Sequence, residues 1–392
     1  MSRTLSLRAA ALLALAALVP SAHAHEWTEP PVDRAPAPQQ RVAPPKQAAQ
    51  IEVAFVLDTT GSMSGLIDGA KRKIWSIANQ LVSAQQDTDV RFALVGYRDR
   101  GDAYVTSLHD LTSDLDAIYA RLMQFQAEGG GDGPESVNQA LHEAVTRLDW
   151  STSPNVYRVI FLVGDAPPHL DYQDDVRYDR SVRLARQRDI TINAIQCGAQ
   201  TDTAEIWREI ASLGMGTYAA IAQDGGMVAV TTPMDDELAR LNRELAGTVI
   251  AYGDARERSE AEEKVRNSLR APASASADRL SYMAKAGDGE VVTGAKDMVE
   301  FAAEGGAVEE IVVTAMSKEM RAMTPRARRE HVEQQLAKRQ ELQERIGVLA
   351  AERDAYVAKE EERLAKSGKT DAFDAKVNEA IKQQAAEKGI TY

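Results

Sequence analysis

Asp58, Thr60 and Ser62 stand two residues apart in the stretch 51–63, IEVAFVLDTTGSM. One carboxylate and two hydroxyls are hard oxygen donors, a set that suits Mg²⁺ or Ca²⁺ better than a softer metal. The same residues also read more plainly, as caps on the helix that follows them. Two further stretches carry acids at comparable places. Residues 129–135 read GGGDGPE, with Pro134 suited to a first helical position, Asp132 to an N-cap, and Glu135 in the first turn. A helix N-terminus carries partial positive charge, which steadies acids such as Asp132 and Glu135. Asp165 follows the apolar run 156–163, VYRVIFLV.

The elements that must position these residues alternate in type. Apolar runs without alternation at 51–57 and 156–163 read as strands buried on both faces, adjacent at the centre of a sheet. Further strands are predicted at 90–97, 190–195 and 217–221, with a short antiparallel edge strand at 104–108. Helices are predicted at 66–82, 114–125 (Asp114 as N-cap), 134–148, 174–188, 203–213 and 235–245. Strands alternating with helices give an α/β fold, a doubly wound, mostly parallel sheet with helices on both faces. Such sheets place ligands beyond the carboxyl ends of their strands, where Asp58 and Asp165 fall.

At this point 51–246 resembles a von Willebrand factor type A (VWA) domain with a metal-ion-dependent adhesion site. Asp58-Thr59-Thr60-Gly61-Ser62 is similar to that family's D-x-S/T-x-S loop, and Asp165 in FLVGDAPPH to its third-loop aspartate. The second loop departs from the commonest pattern, which has threonine where this chain has Glu135. D-x-P-E is instead similar to the I-like domain of integrin β subunits, where the glutamate joins the coordination. The resemblance implies an octahedral divalent site, Mg²⁺ first with Ca²⁺ and Mn²⁺ as alternatives. Thr60 and Ser62 would bind directly, and Asp58, Glu135 and Asp165 directly or through water. Three carboxylates around a divalent ion leave about one net negative charge. That implies firm retention of metal and a modest pull on a partner's acidic residue. Asp99, Asp132 and His169 are expected to support the ligands. The acids near His169 (Asp171, Asp174, Asp175 and Asp179) read as a solvated rim able to shape partner choice. His109 and His142 have no companion at metal-ligand spacing.

Composition narrows the setting. Residues 1–24 read as a signal peptide: Arg3 and Arg8, an apolar core at 9–19, then Ala22-His23-Ala24 as a cleavage site. No other stretch approaches the length of about 18 apolar residues needed to span a bilayer. Residues 25–50, rich in Pro, Ala and Gln, read as a semi-extended linker. The formal charge of −13 becomes −15 once Arg3 and Arg8 are removed, which argues against nucleic acid or anionic lipid as partner. Cys197 is the single cysteine, so no intramolecular disulfide is available to an exported, periplasmic or secreted chain.

Past 246 the pattern weakens. A charged helix is expected at 254–267, a low-complexity break at 271–277 (APASASA), and no element can be read between 280 and 313. Thr324 caps a long helix at 326–366. A heptad through Leu342, Ile346 and Leu349 places Arg339 and Arg353 on the seam, so a coiled coil is doubtful. A helical hairpin turning at 367–369 and returning over 371–388 fits better, and its stripe has to be covered by the sheet domain, the other helix or a second chain. The function expected is an exported, metal-dependent, protein-binding module without enzymatic activity. A metal-dependent hydrolase and a scaffold acting through the tail are the alternatives. A nucleophile–base pair is missing, although carboxylate-held Mg²⁺ can support phosphoryl chemistry.

Overall fold

β-branched and aromatic residues fill the strand that organises the sheet. In β1, Gln50–Asp58, every residue after Gln50 is buried. The computed structural model describes residues 50–83, 89–131, 133–226, 230–286, 290–366 and 372–390. The signal-peptide reading, residues 25–49 of the linker, Asp132 and the turn at 367–369 lie outside them.

The other strands are β2 Asp89–Tyr97, β3 Thr106–Thr112, β4 Val156–Gly164, β5 Ile190–Cys197 and β6 Met215–Ile221. Their order is β3-β2-β1-β4-β5-β6, parallel throughout except for antiparallel β3 at one edge. β1 and β4 are neighbours at the centre, with Phe55 paired to Phe161. Alternation along β1 divides the core. Ile51, Val53, Phe55 and Leu57 face α1 (Ser64–Val82) and α2 (Leu115–Gln124). Ala54 and Val56 face α3 (Val137–Arg147), α4 (Tyr178–Gln187) and α5 (Thr201–Leu213). Cys197 is buried in the first of these cores, where burial pushes its thiol pKa up.

Several boundaries differ from the sequence expectation. α3 begins at Val137 rather than Pro134, because Glu135 pairs its backbone with Pro168 in an isolated parallel bridge. α4 begins at Tyr178 rather than at Asp174, whose carboxylate takes a bond from Arg100. The edge strand runs Thr106–Thr112 instead of 104–108.

The region past α6 (Asp235–Ala246) is helical and packed. α7, Ala255–Arg270, starts with a capping box between Asp254 and Glu257. The expected break at 271–277 is instead the opening of α8, Ala273–Ala286. Its small residues Ala275, Ser276 and Ala277 are buried, and they let this helix lie close against its neighbours. α9 is Met298–Ala303, α10 Lys318–Ala322, α11 Pro325–Lys366 and α12 Ala372–Glu387. Thr324 accepts from the Ala327 N–H at the start of α11.

Three buried arginines tie this region together. Arg279 of α8 makes a bidentate pair with Asp116 of α2, at 2.9 and 2.8 Å. From α11, Arg339 binds Asp297 at 2.5 Å and Arg353 binds Asp235 at 2.8 Å. The two helices of the tail are used separately. α11 sets Leu342 and Ile346 against α6 and α8, whereas α12 lays Val377, Ala380 and Ile381 into the first core, against α1, β4 and β6. Gln384 of α12 accepts from the Tyr157 hydroxyl at 2.7 Å and donates to Asn193 at 2.8 Å. Among the described residues no helix is long and apolar enough to cross a membrane.

Candidate functional site

Three loops meet past the C-terminal ends of β1 and β4. The first leaves β1 at Asp58, its last residue. Thr59 donates from its backbone and its hydroxyl to the Tyr97 carbonyl, at 2.8 and 2.9 Å, which fixes the exit direction. Thr60 is extended and a single 3₁₀ turn, Gly61–Met63, leads into α1. Asp58 Oδ1 accepts from the Thr60 N–H at 2.8 Å and its hydroxyl at 2.6 Å, and Thr60 Oγ1 lies 3.3 Å from Ser62 Oγ. The three donors therefore face the same side.

The second loop is sewn to both others through its backbone. Gly61 donates to Gly129 at 3.2 Å, and Gly130 donates to Asp102 Oδ2 at 3.0 Å. Gly130 has φ +79°, and a Cβ there would stand 3.1 Å from Glu135 Oε1 and 3.2 Å from Thr60 Cβ. Only glycine combines that dihedral with so close an approach. Glu135 donates to the Pro167 carbonyl at 2.9 Å and accepts from His169 N–H at 3.1 Å, so loops two and three advance together.

The third loop brings Asp165 beside Asp58 because residue 164 is glycine. A Cβ at Gly164 would lie 3.0 Å from Asp58 Cβ and would collide with the Tyr97 hydroxyl. Asp165 Oδ2 accepts a 2.6 Å bond from the Gln223 amide.

Of the residues expected to support the ligands, Asp99 and His169 are brought together and Asp132 is outside the described residues. Asp99 accepts from Ser136 Oγ at 2.9 Å and from the Tyr172 hydroxyl at 3.0 Å. His169 Nε2 lies 3.4 Å from Asp99 Oδ2, its Nδ1 lies 2.8 Å from Asp171, and its ring stacks on Tyr172 at 4.0 Å. Sequence reasoning missed Gln223, Gly164 and Ser136, whereas the run Tyr97-Arg98-Asp99 is already expected from the sequence on this side of the sheet. A glycine between a buried strand and an acid was a usable signal for Gly164. A glutamine in a loop after β6 gave none.

The electrostatics of the site are those of crowded acids. Burial, then the charge of Asp165, pushes Asp58 up to about 7 against the opposing bonds from Thr60. Burial, then Asp58, Asp99, Asp102 and Asp165, pushes Glu135 up to about 9. Asp58 Oδ2 and Glu135 Oε2 are buried and have no hydrogen-bond partner among the described residues. An orphaned carboxylate oxygen is costly to bury, and a cation is the group that satisfies two at once. Among the described residues no three carboxylate, imidazole or thiol groups close on one point. The donor set combines hydroxyl and carboxylate oxygens, all of them hard donors. These residues fit a hard divalent ion.

Residues 52–233 match the family model described as von Willebrand factor A domain. The von Willebrand factor A domain-containing protein 7 of Mus musculus is 31% identical over 202 residues, which is 50% of this chain and 21% of that protein. The protein of the same name from Rattus norvegicus is 35% identical over 136 residues, 35% of this chain and 14% of that protein. This chain therefore spans about a fifth or less of the length of these curated relatives. Among solved structures, the conserved hypothetical protein BatB from Bacteroides thetaiotaomicron aligns at a TM-score of 0.34 and 18% identity, over 44% of this chain and 90% of that one. Residues 52–233 of this chain are a von Willebrand factor A domain.

Proposed function

We propose that this protein is an exported binding module that engages an acidic residue of a protein partner through a divalent cation, Mg²⁺ first. Asp58, Thr60, Ser62, Asp165 and Glu135 would hold the ion, which would supply the positive charge that a partner's carboxylate engages. The observation that carries this reading is the pair of buried carboxylate oxygens, Asp58 Oδ2 and Glu135 Oε2, that have no hydrogen-bond partner among the described residues. Asp99, His169 and Tyr172 brace the second and third loops from outside. Export follows from the signal-peptide pattern at residues 1–24, and the tail contributes packing against the domain.

The test is a divalent-dependent pull-down from envelope extract, with and without chelator, using wild type and Asp58→Ala. Recovery of a partner that is lost in both the chelator and the variant supports the reading. Recovery indifferent to both removes the metal from the function. Phosphatase or protease turnover that disappears in Asp58→Ala would favour the hydrolase alternative. Amino-terminal sequencing of the exported protein tests cleavage after Ala24.

A further inference from the structure

A second recess opens directly beside the first loop. It is a cleft of about 330 Å³ walled by Arg98, Tyr104, Ser107, His109, Arg121 and Phe125. Its wall is bonded to the candidate metal loop. The Tyr104 hydroxyl lies 2.7 Å from Thr59 Oγ1, and Glu128 donates its N–H to the Thr59 carbonyl at 3.2 Å. Thr59 is the residue between Asp58 and Thr60.

The cleft is cationic in an otherwise acidic chain. Arg98 is only 4% exposed, yet no carboxylate pairs with it among the described residues. Its Nη2 donates to the Gln126 carbonyl at 2.7 Å and its guanidinium lies 4.6 Å from the centre of the Tyr104 ring. Its Nε, also buried, has no hydrogen-bond partner among the described residues. A buried guanidinium without a counter-charge is a costly arrangement that an incoming carboxylate relieves. Arg121, from the last turn of α2, is exposed at the cleft wall and adds a second positive charge. Glu128 is the one carboxylate in the wall, and it is exposed to solvent.

We propose that this cleft receives a second acidic side chain of the same protein partner, its carboxylate pairing with Arg98 and Arg121. The proposal rests on the metal-dependent reading above and sharpens it. With three carboxylates the metal site keeps about one net negative charge, which weakens its own pull on an acid. The arginine cleft next to it restores that pull, so the recognised feature is two acids at a fixed spacing.

The test uses the full chain in saturating Mg²⁺ and a set of blocked peptides, each with two aspartates separated by one to four glycines. Each has a control in which one aspartate is asparagine. The best two-acid peptide should bind about tenfold more tightly than its control, the scale of one added charge-assisted pair. Arg121→Glu, at an exposed position, should abolish that margin and leave control binding unchanged. Equal binding of two-acid and control peptides at every spacing overturns the proposal, as does a margin that survives Arg121→Glu. If control binding ignores both chelator and Asp58→Ala, the metal reading is what has failed. The chelated titration then decides the cleft: two-acid binding that Arg121→Glu removes supports it, and binding that persists overturns it.

Discussion

The side-chain amide of Gln223 donates to Asp165 Oδ2 at 2.6 Å and reaches the Ser62 carbonyl at 3.3 Å. One residue from the loop after β6 thus straps the first loop to the third and fixes the direction of an acid expected to hold metal. Groups that orient ligands from outside typically carry 10- to 100-fold in affinity. Gln223→Ala should therefore weaken Mg²⁺ binding by about tenfold or more, with little change in unfolding midpoint for the metal-free chain. Isothermal titration measures the first and thermal unfolding the second. Unchanged affinity would mean that Asp165 is aimed by the Gly164 turn alone.

The crowded acids predict a pH dependence of definite sign. In the folded, metal-free chain Asp58 is raised to about 7 and Glu135 to about 9, above their ordinary values of 3.8 and 4.5. The folded state then binds more protons than the unfolded state across this range, so stability falls as pH rises. Their contribution is fully present below the ordinary carboxylate values and is lost as pH passes through about 7 and about 9. Chelated wild type should lose melting temperature between pH 5 and 9, and Glu135→Gln should flatten the upper part of that loss. Metal uptake at pH 7 should release a proton from Glu135, visible as a dependence of binding enthalpy on buffer in wild type and reduced in the glutamine variant. Identical pH slopes for the two proteins would contradict the assignment.

Arg279 predicts how strongly the C-terminal region is bound into the fold. It is 1% exposed, pairs with Asp116 through two nitrogens, and lies 5.4 Å from the Trp75 ring centre. Removing one partner of a buried pair leaves the other uncompensated, at a cost of about 3–5 kcal/mol. Arg279→Ala should lower unfolding free energy in urea by about 3 kcal/mol, because Thr293 still donates to Asp116. The double variant Arg279→Met, Asp116→Asn should recover part of that loss. A loss below about 1 kcal/mol would place the pair among weak, solvated contacts.

The central sheet was legible because its strands are buried on both faces, and runs such as VYRVIFLV have no other economical reading. The first and third loops were legible for the same reason, since each follows such a run. What escaped was decided by tertiary contact. APASASA reads as a break by composition, yet its alanines and serines are what allow α8 to approach its neighbours. The helix at Pro134 was placed too early because Glu135 bridges to Pro168, a partner some thirty residues away. Arg339 and Arg353 spoiled the apolar seam of α11, and the structure explains why: their partners Asp297 and Asp235 lie on other elements. A charge at a core position carries no local sign of the acid that will meet it. Gln223 is the extreme case, a polar loop residue whose role exists only once β1, β4, β5 and β6 are assembled into one sheet.

The choice of Glu135 over threonine should trade partner affinity for metal affinity. Two aspartates neutralise a divalent ion, and a third carboxylate takes the site to about −1. At an effective dielectric of about 20, each unit charge at 4 Å is worth about 4 kcal/mol. Glu135 must first lose a proton to offer that charge, and a group raised to about 9 gives back much of the gain at pH 7. The balance favours glutamate by about tenfold in metal affinity at pH 7, widening as pH rises toward 9. Glu135→Thr should therefore bind Mg²⁺ about tenfold more weakly by isothermal titration, with a flatter pH profile. At saturating Mg²⁺ the same variant should bind a single-aspartate peptide more tightly than wild type, because a site without the third carboxylate pulls more strongly on an acid. Stronger divalent binding by the threonine variant would rule out Glu135 as a ligand, since only a carboxylate outside the coordination sphere could be removed to the ion's advantage.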